Sequence, residues 1–354
     1  MKILVISLAG IGDALLATPL IRELRANFPE AVIDVLVKEK GAKDFLENNP
    51  NINRVFYKDL LQCGKLAGIR FLWSLRRERY QLSINTHPQS RTHYRVSAWL
   101  AGAAVRLSHE YECFNPVDRW LVTGALPQDY TRHSIDNNFD VLPLIGAKKM
   151  LPAHKLDFFL TPGEERFADD FWVKHKLSGK KILGIHVGSG GTKNLPLKRW
   201  PLKNYAGLVR QLNKERPDIH VLLFGGPEEA KDHAIVLAQA SQALTMEAKT
   251  KSMRETAALI KRCSAFLSVD TALMHVAAAV KAANQIVIEA PTLNVTNWPY
   301  GNEFTLVKNP TVNGKNLDYY RYDGGDIKGT REELIAVMES VKVTAVYAAI
   351  TKLI

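Results

Sequence analysis

The acid at position 13 stands in a pattern suited to proton transfer. Ile3-Leu4-Val5-Ile6 is a short apolar run, Ser7-Leu8-Ala9-Gly10-Ile11-Gly12-Asp13 follows it, and Ala14-Leu15-Leu16-Ala17-Thr18 resumes with helical character. A buried strand should turn through two glycines and hold one carboxylate where a helix begins. Glycines at 10 and 12 permit positive φ and close approach of a ligand, and no acid precedes Asp13. A carboxylate so placed caps the helix or serves as a base, and the local pattern supports both readings equally.

Three loops in the second half each follow a strand candidate, so a parallel sheet would gather them at one edge. The first is His186-Val187-Gly188-Ser189-Gly190-Gly191-Thr192-Lys193, continuing to Lys198-Arg199-Trp200-Pro201. Glycine amides, the Thr192 hydroxyl and Lys193 or Lys198 suit a phosphate group. Neither the Walker A order nor a clean dinucleotide fingerprint is present. The second is Phe224-Gly225-Gly226-Pro227-Glu228-Glu229. Its acids either reach ribose hydroxyls or merely start a helix behind Pro227, and the pattern favours the helix start. The third is Ser268-Val269-Asp270-Thr271-Ala272-Leu273-Met274-His275, leading into Ala277-Ala278-Ala279. Amides at 271–273 would seat an anion, Asp270 would bind a sugar hydroxyl, and His275 reads as a structural histidine.

In the first half, His87-Pro88-Gln89-Ser90-Arg91-Thr92-His93 also follows a strand candidate. Arg70, Arg76, Arg77, Arg79, Arg91, Arg95 and Arg106 are interleaved with Trp73, Tyr80, Tyr94 and Trp99. A solvated helix face is the ordinary account of such a run.

The elements that must position these loops alternate between strand and helix, which predicts an α/β fold with mostly parallel sheets. Strands are expected at 2–7, 32–37, 55–57, 82–85 and 105–107, then at 181–187, 221–224, 265–269 and 285–288. Pro19 makes the first helix start late or kink. Ser252-Met253-Arg254-Glu255 and Thr330-Arg331-Glu332-Glu333 read as capping boxes. The pattern weakens near Leu160-Thr161-Pro162-Gly163, which marks a domain boundary.

With 354 residues, two domains are expected. An apolar share of 46% and a charged share of 23% describe a globular chain, and no apolar run reaches membrane-spanning length. The start reads as a first strand rather than a signal peptide, because Asp13 interrupts it. Cys63, Cys113 and Cys263 are too few and too scattered for a disulfide framework or a zinc site, which points to a reducing cytosol. A net charge of +11 calls for an anionic partner, whether nucleic acid, membrane or phosphorylated substrate.

Taken together and in order, Gly12-Asp13 with Thr18-Pro19, His186 to Ser189 with Lys198 to Pro201, Gly225 to Glu228, and Asp270 to Ala279 resemble glycosyltransferase family 9, the bacterial heptosyltransferases. The resemblance implies a GT-B architecture of two Rossmann-like domains facing across a cleft. Residues 1–165 would bind acceptor and 166–335 the nucleotide sugar, with a last helix in 336–354 packing back on the first domain. It implies an inverting transfer from an ADP-sugar, ADP-heptose in the family, to a lipopolysaccharide-core glycolipid, with neither cofactor nor metal. Asp13 becomes the general base. Thr192 and Lys198 contact the diphosphate or sugar, Glu228 and Glu229 the nucleoside, and Asp270 the donor sugar, while Thr271 and Leu273 offer backbone amides. Ser189, Ala272 and His275 complete the donor set, and Gly10, Gly12, His87, Arg91 and Arg95 the acceptor set. Ser7, where a cation is usual, and residues 281–292 depart from the family pattern. A cytoplasmic protein touching the inner membrane peripherally is the expectation. A nucleotide-sugar epimerase, an NAD-dependent oxidoreductase and a basic nucleic-acid-binding protein are the competing readings; the missing dinucleotide fingerprint and the lack of any helix-turn-helix, RNP or zinc signature weigh against the last two.

Overall fold

The apolar run behind Met1 forms β1 (Lys2–Ser7), whose Ile3 to Ile6 are fully buried. Burial on both faces is why it reads as a continuous apolar run rather than an alternating one. A computed structural model describes residues 1–152, 155–190, 195–312 and 329–354. The chain divides into two units between Phe159 and Leu160, and residues 329–354 belong to the second.

The first unit is one parallel sheet of β1, β2 (Val32–Val37), β3 (Arg54–Tyr57), β4 (Leu82–Asn85), β5 (Val105–Glu110) and β6 (Gly124–Pro127), in the order β3-β2-β1-β4-β5-β6. The chain leaves β1 towards one edge and returns at β4 to build the other. The crevice beyond the carboxyl ends of β1 and β4 is therefore the switch point where ligands sit in such sheets. On one face Leu4, Ile6 and Leu36 pack with Leu72, Leu75, Ala98 and Ala101.

The second unit repeats the plan with β7 (Lys181–His186), β8 (Ile219–Phe224), β9 (Thr245–Glu247), β10 (Ala265–Ser268), β11 (Gln285–Ile288) and β12 (Phe304–Val307), in the order β12-β11-β10-β7-β8-β9. Its switch point lies between β7 and β10. Two doubly wound sheets of this kind are the Rossmann-like pair that the GT-B resemblance implied.

Three details depart from the sequence reading. The units divide at the Leu160–Gly163 break and not at residue 165, because the helix Pro162–Lys174 is tied to the helix Met253–Arg262 by Glu164–Arg254 at 2.8 Å and Asp169–Arg262 at 2.6 Å. Upstream, Arg22 and Thr18 hold Asp157 within the first unit. The last helix, Val343–Leu353, was expected on the first domain. Instead its Val346 and Ile350 are fully buried in the core of the second sheet, beside Leu208 and Leu212, because an apolar stripe at i, i+4 finds that sheet face uncovered. Of the two readings at Pro19 the late start is the one seen, since Thr18–Asn27 begins after Ile11–Leu16 ends and holds Pro19 in its first turn; the departure is at the cap, which is Ala17, while the Thr18 hydroxyl donates to the Leu15 carbonyl at 2.7 Å. No single described helix is long and apolar enough to cross a membrane.

Candidate active site

Asp13 lies in the first turn of Ile11–Leu16, immediately beyond the carboxyl end of β1, and is half-buried. Its Oδ2 accepts the Gly10 N–H at 2.7 Å. Positive φ is not the reason for the glycines, since Gly10 has φ −93° and Gly12 is not among the positive-φ residues. At Gly10 a Cβ would lie 3.1 Å from the Asp13 carboxylate oxygen, so any side chain there would press on that carboxylate. Burial raises the Tyr94 hydroxyl above its usual range, and the charge on Asp13 adds to the effect.

The loop after β4 is stitched to the loop after β1 by Gln89, whose Oε1 accepts from the Leu8 N–H at 3.3 Å while its Nε2 donates to the Thr86 carbonyl at 2.9 Å. His87 is fully buried, with Nδ1 3.2 Å from the Tyr111 hydroxyl and its N–H donating to Asn138. Arg95 is also fully buried. It donates to Asp118 at 3.1 Å, to the Ser90 carbonyl at 3.0 Å and to the His109 carbonyl at 3.1 Å. Both were expected to meet acceptor, and both instead hold the loop in place: a guanidinium this deep needs a carboxylate and carbonyls around it more than a ligand does. Arg91 is half-buried at the start of the helix Thr92–Ala101 and remains in the crevice-side loop.

In the second unit, Lys198 and Asp270 meet as a buried ion pair, Nζ to Oδ2 at 3.0 Å, although 72 residues separate them. Thr292 donates its hydroxyl to the same Oδ2 at 2.6 Å. Thr292 belongs to the stretch that departs from the family pattern, and its place just past β11 was the available signal for it. Thr271 caps the helix Ala272–Ala279, its Oγ1 3.4 Å from the Met274 N–H and 3.1 Å from His186 Nδ1. The amides of Ala272 and Leu273 open that helix, and His275 is buried one turn in.

Two donor-loop residues are engaged in the fold. Ser189 donates to the Leu195 carbonyl at 2.9 Å and accepts from Arg199 Nε at 3.0 Å. Glu229 is buried against Gly188, where a Cβ would collide with its Oε1, and its other oxygen accepts the Gly226 N–H at 2.8 Å. This is the helix-start chemistry the sequence favoured; Glu228 is exposed beside it. Arg199, which also pairs with Asp232 at 3.1 Å, joins the loop after β7 to the turn after β8 and was not singled out by sequence. Thr192 and Lys193 lie outside the described residues. Among the described residues no three His, Cys, Asp or Glu side chains converge as a metal site would require.

Burial pushes the His186 imidazole down to about 3 from an ordinary 6.5, with charge at His233 and Arg199 adding to the effect. The unfolded chain takes up this proton below 6.5 and the folded one does not until about 3. The stabilising contribution is thus complete above 6.5 and is lost as pH falls towards 3, by about 1.4 kcal/mol per pH unit. The urea midpoint of the second unit should fall more steeply between pH 7 and pH 5, roughly one such proton's worth, than that of His186→Gln; parallel profiles would show that another group governs the acid limb.

Two doubly wound parallel units, each presenting polar loops at its switch point, define an α/β enzyme of the GT-B class. The chain belongs to glycosyltransferase family 9 (heptosyltransferase), which it matches over residues 69–321, and it is a glycosyltransferase. Lipopolysaccharide heptosyltransferase 2 of Salmonella typhimurium is 27% identical over 303 residues, covering 79% of this chain and 80% of the relative. A glycosyltransferase family 9 structure from Veillonella parvula superposes with a TM-score of 0.77 at 21% identity, covering 99% of this chain and 96% of that one. The ADP-heptose lps heptosyltransferase II of E. coli does so with a TM-score of 0.74 at 20% identity, covering 100% and 98%.

Proposed function

We propose that the protein transfers a heptose from ADP-heptose to an anionic lipopolysaccharide-core acceptor, with inversion at the anomeric carbon. The observation that carries the reading is the buried Lys198–Asp270–Thr292 cluster beside the amides that open Ala272–Ala279, a seat for a sugar diphosphate. The named E. coli and Salmonella relatives support the choice of donor and acceptor.

In the proposed step the acceptor hydroxyl oxygen forms a bond to the anomeric carbon as the bond from that carbon to the β-phosphate oxygen breaks. The hydroxyl proton passes to Asp13, and the electron pair leaves with ADP. A carboxylate in the first turn of a helix is favoured in its ionised form, the form a base needs. Negative charge growing on the diphosphate is met by Lys198 and by helix amides, while Asp270 orients the sugar. The acceptor's phosphates give the +11 charge a partner, on the cytoplasmic face of the inner membrane.

A panel of ADP-heptose, ADP-glucose, UDP-glucose and UDP-N-acetylglucosamine, with a soluble core oligosaccharide as acceptor and product configuration read by NMR, tests this. Transfer from ADP-heptose alone with inverted configuration is expected. Retention of configuration, or preference for a UDP-sugar, would overturn the reading.

A further inference from the structure

The helix Lys65–Ser74 buries Gly68 and Leu72, four residues apart, and so turns Leu66, Ile69 and Trp73 outward on a second apolar face. Leu66 is 72% exposed and Trp73 52%. From residue 60 to residue 77 the chain carries Lys65, Arg70, Arg76 and Arg77 and no acid. The face continues through stacked groups. The Arg76 guanidinium lies 4.1 Å from the Trp73 ring centre and 5.7 Å from that of Trp99, and Trp99 is 5.6 Å from Trp120. Gly102, at φ 75°, makes room for this path, since a Cβ there would lie 2.7 Å from Arg76 Cγ. Trp120, 66% exposed, closes the face beside Arg119, which reaches Glu110 at 3.5 Å, and the one acid of that turn, Asp118, is buried against Arg95.

We propose that this face docks the protein on an anionic lipid bilayer, Leu66, Ile69, Trp73 and Trp120 entering the headgroup boundary while Lys65, Arg70 and Arg77 bind lipid phosphates and Arg76, donating to the Leu100 and Trp99 carbonyls, holds the rings in place. A helix whose outward side joins aliphatic residues, tryptophan and cations, with no acid among them, fits the interface between water and acyl chains. Two shallow grooves on the face have aromatic beds rimmed by arginine, one holding Trp73 and Arg70 and the other Trp120 and Arg119. A nucleic acid would reward the aromatic rings and cations but not exposed Leu66 and Ile69. A two-fold contact with a second copy would set the same cations against one another. The proposal deepens the glycolipid-acceptor reading by naming the surface that meets the membrane, and it rests on that reading only for which membrane is met.

The test is sedimentation of the full chain with phosphatidylcholine vesicles and with mixed phosphatidylcholine–phosphatidylglycerol vesicles, neither containing donor or acceptor, so its outcome is independent of transferase activity. Binding should require the anionic lipid, weaken as salt rises, and fall about fivefold for each cation removed in Arg70→Ser and Arg77→Ser. Leu66→Ser/Ile69→Ser/Trp73→Ser should lose at least about tenfold while keeping wild-type circular dichroism and ADP affinity. Vesicle binding unchanged in these variants would overturn the proposal. So would binding indifferent to lipid charge, a dimer in light scattering that the triple variant abolishes, or tight binding of a single-stranded oligonucleotide in which Leu66→Ser/Ile69→Ser leaves both oligonucleotide and vesicle binding unchanged.

Discussion

Replacing Asp13 with asparagine should lower turnover by about three orders of magnitude while leaving ADP affinity and the KM for donor near their wild-type values. The magnitude is that of a general base, and the substitution isolates it. Asparagine keeps an oxygen that can accept the Gly10 N–H, now held at 2.7 Å, so the turn and its helix survive. In the proposed step, what is lost is the group that takes the acceptor proton. Asp13→Ala removes the cap as well and should add a stability loss of about 1 kcal/mol, which separates the two duties of the carboxylate. Steady-state kinetics with isothermal titration of ADP reads both. Turnover of the Asp13→Asn variant within a few-fold of wild type would remove Asp13 from the proton's path.

The second large effect is expected at Lys198. Lys198→Met leaves the Asp270 carboxylate, 3% exposed, with the Thr292 hydroxyl but without the lysine ammonium. Removing one partner of a buried ion pair costs about 3–5 kcal/mol, which should lower the melting temperature of the second unit by roughly 10 °C. Turnover should fall about 10²- to 10³-fold, because the leaving diphosphate loses a preorganised positive charge. The double variant Lys198→Met/Asp270→Leu distinguishes stability from chemistry. It should recover most of the lost melting temperature, since an apolar pair replaces an ionic one of similar volume, and recover none of the turnover. Restored turnover would make the pair structural only.

All the inner strands are legible in the sequence, and so is one edge strand, β3 (Arg54–Tyr57), through its β-branched and aromatic residues. β1, β2, β4 and β11 match their expected spans: each is almost wholly buried and carries aliphatic residues on both faces or at every second position, even where Asp34, Ser83, Asn85 or Gln285 interrupts the run. β6, β9 and β12 were missed, and all three are outermost in their sheets. An edge strand buries less and tolerates residues such as Gly124, Pro127, Glu247 and Thr305, so its pattern does not stand out from a loop.

Among the candidate residues, Asp13, Lys198 and Asp270 stand out by type and position alone, and the fold brings the last two together. The glycine loops were legible as loops, and the Thr330–Glu333 capping box is seen as read, with the Thr330 N–H donating to Glu333 at 2.7 Å. Arg95 and His87 were not, since their residue types suit a ligand as well as they suit a buried brace. Burial, set by helices elsewhere in the chain, is what distinguishes the two uses.

By itself, then, the amino-acid sequence determined the α/β alternation, the places where strands give way to polar loops, and the carboxylate waiting at the first of them. These are local properties, expressed in periodicity, turn residues and capping. Tertiary structure alone decided which of those groups meet. The pairing of Lys198 with Asp270 and Thr292 depends on β7, β10 and β11 lying side by side. The same is true of the route of the last helix, whose apolar stripe names no partner until a sheet face is left open. At position 13 the sequence supplied a carboxylate with two equal readings; the folded chain shows it bound to the Gly10 amide at the switch point of the first sheet, where a cap and a base are compatible duties.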